Sequence, residues 1–328
     1  MAKRIWMIAA GALGAAGALG VANVLGARSA ERRYPPEGRF LEIDGVRLHY
    51  TDEGQGQPIV LLHGNGAMVE DFTLSGLPAA LAPRCRVLAF DRPGFGHSTR
   101  PRDRRWTATA QAALLHAALR ALGIERPVLV GHSWGASVAI SFAQEYPDDA
   151  AAIVLISGYY TPKWRPDLVM GSVGALPVIG PILNHTIFPV LNRLLAPLAL
   201  RHLFAPNEVP ASFKAGFPLA LALRPSQLAA TSMDTANMNE AAATSRKRLG
   251  DITVPVVIVA GSADAVVDPE GHSLALHRLL PGSVMRSVAD TGHMVHQTAT
   301  DDVLAAIDTA IAAGSAAHPG GDEQRAGA

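Results

Sequence analysis

The stretch Pro127-Val128-Leu129-Val130-Gly131-His132-Ser133-Trp134-Gly135-Ala136 limits what this chain can fold into more than any other. A β-branched run halts at a glycine, and a serine follows two residues on. A second glycine two beyond that opens an alanine-rich amphipathic segment reaching Gln144. The pattern is strand, sharp turn, helix. In Gly-X-Ser-X-Gly the glycines are a steric requirement. A serine at a nucleophile elbow has a strained backbone, and small neighbours let strand and helix approach each other. Its side chain then stands above the sheet edge at a helix N-terminus, where backbone amides favour developing negative charge. Taken alone, the same letters also describe an ordinary tight turn with an exposed serine. A base, an acid and an oxyanion donor at workable places elsewhere decide between the two.

The rest of the chain supplies a frame for such an elbow. Phe40 to Ile43 and Val46 to Thr51 alternate on either side of Asp44-Gly45, which signals a hairpin. Ile59 to Leu62 is wholly apolar, as a strand buried on both faces should be. A helix is predicted from about Glu70 to Leu81, a strand over Arg86 to Phe90, and a helix over Thr107 to Leu122 stopped by Gly123. After the elbow come a strand at Ile153 to Gly158, a strand at Val254 to Ala260, and a helix from about Pro269 to Leu280. A strand at Val284 to Val288 and a helix from Thr300 to Ala313 follow. Strand alternates with helix, so the fold class is α/β, with a doubly wound, mostly parallel sheet. Ligands then bind at the carboxyl ends of the strands.

Between Tyr159 and Arg248 this rhythm breaks. Prolines are frequent, the segments between them are apolar and helix-like, and no strand is evident. The expected organisation is a core of residues 39–158 and 249–313, a helical cap of 159–248, and a disordered tail of 314–328. A separate helical domain unrelated to the site is the alternative for 159–248.

Residues 5–26 carry no charge and are long enough to cross a bilayer as a helix. Lys3 and Arg4 precede them, and Arg28, Arg32 and Arg33 follow. The run exceeds a usual signal-peptide core, which favours an uncleaved membrane anchor. Small residues around Ala27 keep open a cleaved signal leading to a secreted or periplasmic protein, and a merely apolar leader is a third reading. Positive charge at both ends leaves orientation undecided. The formal net charge is zero with no basic stripe, so nucleic acid is not an expected partner. The single cysteine, Cys85, excludes an internal disulfide and reads as a packing residue.

Nucleophilic serine chemistry needs a base to take the hydroxyl proton and an acid to orient that base. Asp264 lies in the loop after the Val254 strand, and His293 in the loop after the Val284 strand. Asp268, followed by Pro269, suits a helix N-cap better. His296 competes with His293, and His-X-X-His hints at a metal. No carboxylate or cysteine is seen to complete such a site, so no metal is expected. His272 and His277 fall on a predicted surface helix and are given no role. Two oxyanion donors are expected: the backbone amide of Trp134, and that of Asn65 in the loop His63-Gly64-Asn65-Gly66. His63 is expected to brace this loop.

His63-Gly64-Asn65-Gly66, Asp91-Arg92-Pro93-Gly94-Phe95-Gly96-His97-Ser98, Gly131-His132-Ser133-Trp134-Gly135, Asp264 and Gly292-His293 together resemble an α/β-hydrolase-fold serine hydrolase over roughly residues 40–313. The resemblance implies a Ser133–His293–Asp264 triad, no cofactor, and a helical cap that shapes substrate choice. The cap-bearing epoxide hydrolases and haloalkane dehalogenases of that family have aspartate at the elbow. Here it is Ser133, which speaks against an alkyl-enzyme ester. The expected activity is hydrolysis of an ester-type bond in a small apolar molecule. Carbon–carbon bond hydrolysis or cofactor-free perhydrolysis by the same triad is an alternative, and a non-catalytic ligand-binding protein on the same fold is another.

Overall fold

A computed structural model describes residues 2–317. Eight strands form one sheet: β1 (Arg39–Ile43), β2 (Val46–Glu53), β3 (Gln57–Leu62), β4 (Cys85–Phe90), β5 (Val128–His132), β6 (Ala152–Ile156), β7 (Val256–Gly261) and β8 (Val284–Val288). Their order across the sheet is β1-β2-β4-β3-β5-β6-β7-β8. β2 runs antiparallel to both β1 and β4, and every later pairing is parallel. The hairpin turn at Asp44-Gly45 has positive φ at both residues, the backbone that the Asp-Gly pair predicts.

The helices are α1 (Ala2–Arg33), α2 (Val69–Ser75), α3 (Leu77–Leu81), α4 (Ala108–Ala121) and α5 (Trp134–Glu145), then α6 (Pro166–Gly171), α7 (Ile179–His185), α8 (Ile187–Phe204), α9 (Ala211–Gly216), α10 (Leu219–Ala222) and α11 (Pro225–Lys247). After β7 come α12 (Ala275–Leu279), α13 (Val295–Thr298) and α14 (Thr300–Ala316). Because successive strand side chains point to opposite faces, the central strands feed two cores. Val60, Leu62, Leu129, Leu155 and Ile258 pack with α4 and α5. Ile59, Leu61, Val130, Val154 and Val259 pack with α2, α3 and α14. The order of layers follows from this: helix, mostly parallel sheet, helix.

Three expectations need correction. The single helix from Glu70 to Leu81 is two, because Gly76 adopts a left-handed conformation (φ 78°) between them and Pro78 opens the second. The helix from Pro269 begins as a π-helical turn, Glu270–Leu274, and His272 within it is buried. Its Nδ1 accepts from the Tyr160 and Thr161 amides at 3.0 and 3.2 Å, so His272 pins the chain where it leaves β6. The tail does not begin at 314. Gly314 is buried in α14, and a side chain there would press on the Ala151 carbonyl, 2.9 Å from where its Cβ would stand. The rest of the expected tail, 318–328, lies outside the described residues.

Candidate active site

Ser133 sits between β5 and α5 with φ 53° and ψ −113°, a conformation an L-residue adopts only under constraint. Its amide donates to Ile156 O at 2.8 Å, which fixes the elbow to the neighbouring strand. Both flanking glycines are sterically required. A Cβ at Gly131 would overlap the Gly135 backbone, and one at Gly135 would overlap the Leu62 carbonyl at the end of β3. Close approach of strand and helix is thus bought with two missing side chains.

His293 lies after β8, and its Nδ1 is 2.8 Å from Asp264 Oδ2. Both side chains are buried. The other Asp264 oxygen accepts from the amides of Val266 and Val267 at 2.8 and 2.9 Å, so the carboxylate cannot swing away. Asp268 instead accepts from the amides of Glu270 and Gly271, the capping geometry its following proline suggests. Ser133 and His293 line one cavity of about 240 Å³. The β3 loop (Gly64 to Ala67) and Asn192, Ala196 and Leu200 of α8 form other parts of its wall.

The β3 loop packs directly on the elbow. A Cβ at Gly64 would be 2.9 Å from His132 Nδ1 and 3.2 Å from Ser133 Cβ. Asn65 Nδ2 donates to Thr231 O and Thr235 Oγ1 of α11, at 3.1 and 2.9 Å, which anchors the loop from above. Trp134 is the first residue of α5, and first-turn amides have no carbonyl partner within their own helix.

His63 is fully buried. Its Nδ1–H donates to Gly64 O at 2.8 Å and its Nε2 accepts from the Arg92 amide at 3.0 Å. Burial, reinforced by the Arg92 guanidinium, lowers its pKa to about 4, so the ring is neutral and serves as a brace. Arg92 completes this brace: Nε and Nη2 donate to the carbonyls of His63 and Gly64, each at 2.9 Å, and Nη1 reaches Asp234 on α11 at 2.6 Å. Arg92 and Asp234 were not singled out from sequence. Arg92 does stand in the quoted Asp91-to-Ser98 segment, whereas Asp234 has no local signal.

A second group went unrecognised. Asp71, His132 and His296 are all buried and offer ligand atoms within 4.8 Å of one another. His296 Nε2 donates to Asp71 Oδ1 at 3.0 Å, and His132 Nδ1 is 3.8 Å from Asp71 Oδ2. No carboxylate was expected to complete a site with the His293-X-X-His296 pair; α2 brings Asp71 across from 225 residues away to meet His296 and His132, a grouping that leaves His293 out. Burial pushes the Asp71 carboxyl up, but His296 and His132 outweigh it and hold it at about 2. Burial also drives His132 well below the ordinary imidazole range, with His296 and His293 adding to it. Two imidazoles and a carboxylate are the donor set of a divalent transition metal.

With this geometry in hand, comparison with known proteins gives a consistent answer. A family model described as alpha/beta hydrolase fold matches residues 57–300. Haloalkane dehalogenase 2 of Mycobacterium tuberculosis is 30% identical over 285 residues, covering 84% of this chain and 94% of the relative. A thermophilic esterase from Thermogutta terrifontis superposes with a TM-score of 0.63 at 24% identity, over 80% of this chain and 92% of its own. A bacterial membrane phospholipase A superposes with a TM-score of 0.63 at 22% identity, over 94% and 99%. The chain belongs to the alpha/beta hydrolase fold family.

Proposed function

We propose that this protein is a serine hydrolase that cleaves an ester-type bond of a small apolar molecule through an acyl-enzyme on Ser133. The observation that carries the reading is the 2.8 Å bond between a doubly anchored Asp264 and Nδ1 of His293, which lines the same cavity as the strained Ser133. The carboxylate holds the ring with its proton on Nδ1, leaving Nε2 bare to accept from Ser133 Oγ. Oγ attacks the substrate carbonyl carbon as its proton passes to Nε2. The oxyanion that forms is taken up by the amides of Asn65 and Trp134, and losing one such donor costs about 3 kcal/mol of barrier. Collapse expels the alcohol, which takes the proton from Nε2. Water then repeats the sequence on the acyl-enzyme and frees the acid.

The esterase and phospholipase among the similar structures fit this reading. Dehalogenase chemistry is not carried over, because that route needs a carboxylate where Ser133 stands. Residues 159–248 act as the cap that sets substrate choice, and their apolar inner wall (Leu200, Leu203, Phe213, Phe217) suits an acyl chain. Residues 5–26 act as a membrane anchor.

A fluorophosphonate probe tests the mechanism. Labelling should fall on Ser133 and vanish in Ser133→Ala; labelling elsewhere, or none in folded protein, would count against it. p-Nitrophenyl esters of increasing acyl length then report the pocket through the position of their rate optimum.

A further inference from the structure

Helix α8 is apolar apart from Asn192, Arg193, Arg201 and His202. It is long and apolar enough to cross a membrane, yet only 17% of that span is buried. One face, with Asn192, Ala196, Ala199 and Leu200, lines the cavity that holds Ser133. The opposite face turns Leu191, Leu194, Leu195 and Leu198 to the outside, Leu194 with 71% and Leu198 with 63% of its surface exposed. Val178, Ile179 and Ile182 around the start of α7, and Val169 and Met170 on α6, are exposed as well. Exposed apolar patches of this kind mark contact sites.

Two further observations say what covers this one. Helix α1, uncharged over residues 5–26, is tied to the α7–α8 junction: Asn23 Nδ2 donates to His185 O and Thr186 O at 2.9 and 2.8 Å, and Gly20 lies against the same carbonyl of His185. Exposed Val21 and Leu25 extend the apolar surface from that junction along α1. Residues 163–204 also carry only Lys163, Arg165, Asp167, Arg193 and Arg201; Lys163 pairs with Asp268 and Arg165 with Asp167, which leaves Arg193 and Arg201 as a formal +2 on the helix with the exposed leucines. Basic residues among exposed aliphatics suit an anionic lipid surface.

We infer that the outer face of α6–α8 is embedded in the bilayer interface beside α1, and that α8 delivers a lipid-borne acyl ester sideways from the membrane to Ser133. This rests on the serine-hydrolase reading for the nature of the substrate, but the docking itself does not. One wall, a single helix thick, then separates acyl chains in the bilayer from the cavity. The apolar substrate need never cross water.

The test uses the full chain reconstituted in phosphatidylcholine vesicles containing phosphatidylglycerol. Leu198→Cys labelled with an environment-sensitive fluorophore should shift to the blue and brighten, while the same label at Asp301→Cys on exposed α14 should not. Leu194→Glu/Leu198→Glu should lower hydrolysis of a vesicle-borne long-chain ester about tenfold, because two charges oppose insertion. It should leave p-nitrophenyl acetate hydrolysis unchanged. An unshifted label at 198, or an equal effect on both substrates, would overturn the inference. So would a variant whose only change is loss of a dimer in sedimentation, which would make the face a contact between two copies. Failure of the wild type to hydrolyse either ester while the label shifts would instead sink the serine-hydrolase reading and leave the docking intact.

Discussion

His132 Nε2 lies 3.2 Å from the backbone carbonyl oxygen of His293. A carbonyl only accepts, so His132 carries its proton on Nε2 and its Nδ1 is left as a bare lone pair. The residue before the proposed nucleophile thus holds the backbone of the proposed base. Replacing it with alanine should leave a buried carbonyl unsatisfied and free the His293 loop. We expect a loss of about 1–3 kcal/mol in stability by denaturant titration, with kcat falling more than KM rises.

Asp264→Asn separates orientation from folding. Asparagine Oδ1 can still accept from the Val266 and Val267 amides, so the thermal midpoint should change little. Its Nδ2 would face His293 Nδ1 and force the proton to Nε2, the wrong tautomer for a base. We expect kcat to drop about 10⁴-fold, as for the same change in serine proteases. An unchanged kcat would remove Asp264 from the mechanism.

Gly135→Ala has a steric outcome. Its Cβ would overlap the Leu62 carbonyl, which is backbone and cannot rotate away. We expect a loss of about 3 kcal/mol or more from overpacking, seen as a lowered midpoint in a melt, and weakened fluorophosphonate labelling of whatever remains folded.

His63 makes stability depend on pH. Its pKa of about 4 in the folded chain lies below the 6.5 of the unfolded one, so the unfolded state binds its proton first. Stability from this group is full above pH 6.5, declines as pH falls toward 4, and levels off below. The integrated loss is about 3 kcal/mol. Denaturant titrations between pH 7.5 and about 4.5 should show this acid limb, and His63→Asn should flatten it.

Arg92→Met would leave buried Asp234 with Arg100 and the Gln111 amide at Oδ1 but strip Oδ2 of its guanidinium, and would release both carbonyls of the β3 loop. Breaking a buried pair by removing one partner costs about 3–5 kcal/mol. We expect that loss in chemical denaturation, with Arg92→Lys recovering only part of it because an ammonium cannot reproduce the fork.

Much of the candidate site was legible because each piece is local. Gly131 and Gly135 declare a close approach, Asp264 follows a buried strand and His293 the last strand, and the parallel alternation puts the carboxyl ends of β3 to β8 on one rim. The Asp268 cap was readable from the proline after it. What was not legible is what meets across the fold. Asp71, His132 and His296 come from α2, β5 and α13, and Arg92 finds Asp234 on α11. The burial of His272 escaped for the same reason, since helix periodicity does not say which side a neighbour covers; the break at Gly76 is local, set by the glycine and by the proline two residues on.

The sequence by itself therefore determined the class of fold, the elbow and the residues offered to it, because backbone sterics and strand burial are written within a few residues. The tertiary structure alone decided the buried histidine–aspartate cluster, the Arg92 clamp and the bare outer face of α8. Those depend on distances between segments far apart in the chain, where burial and charge act only once packing has brought them together.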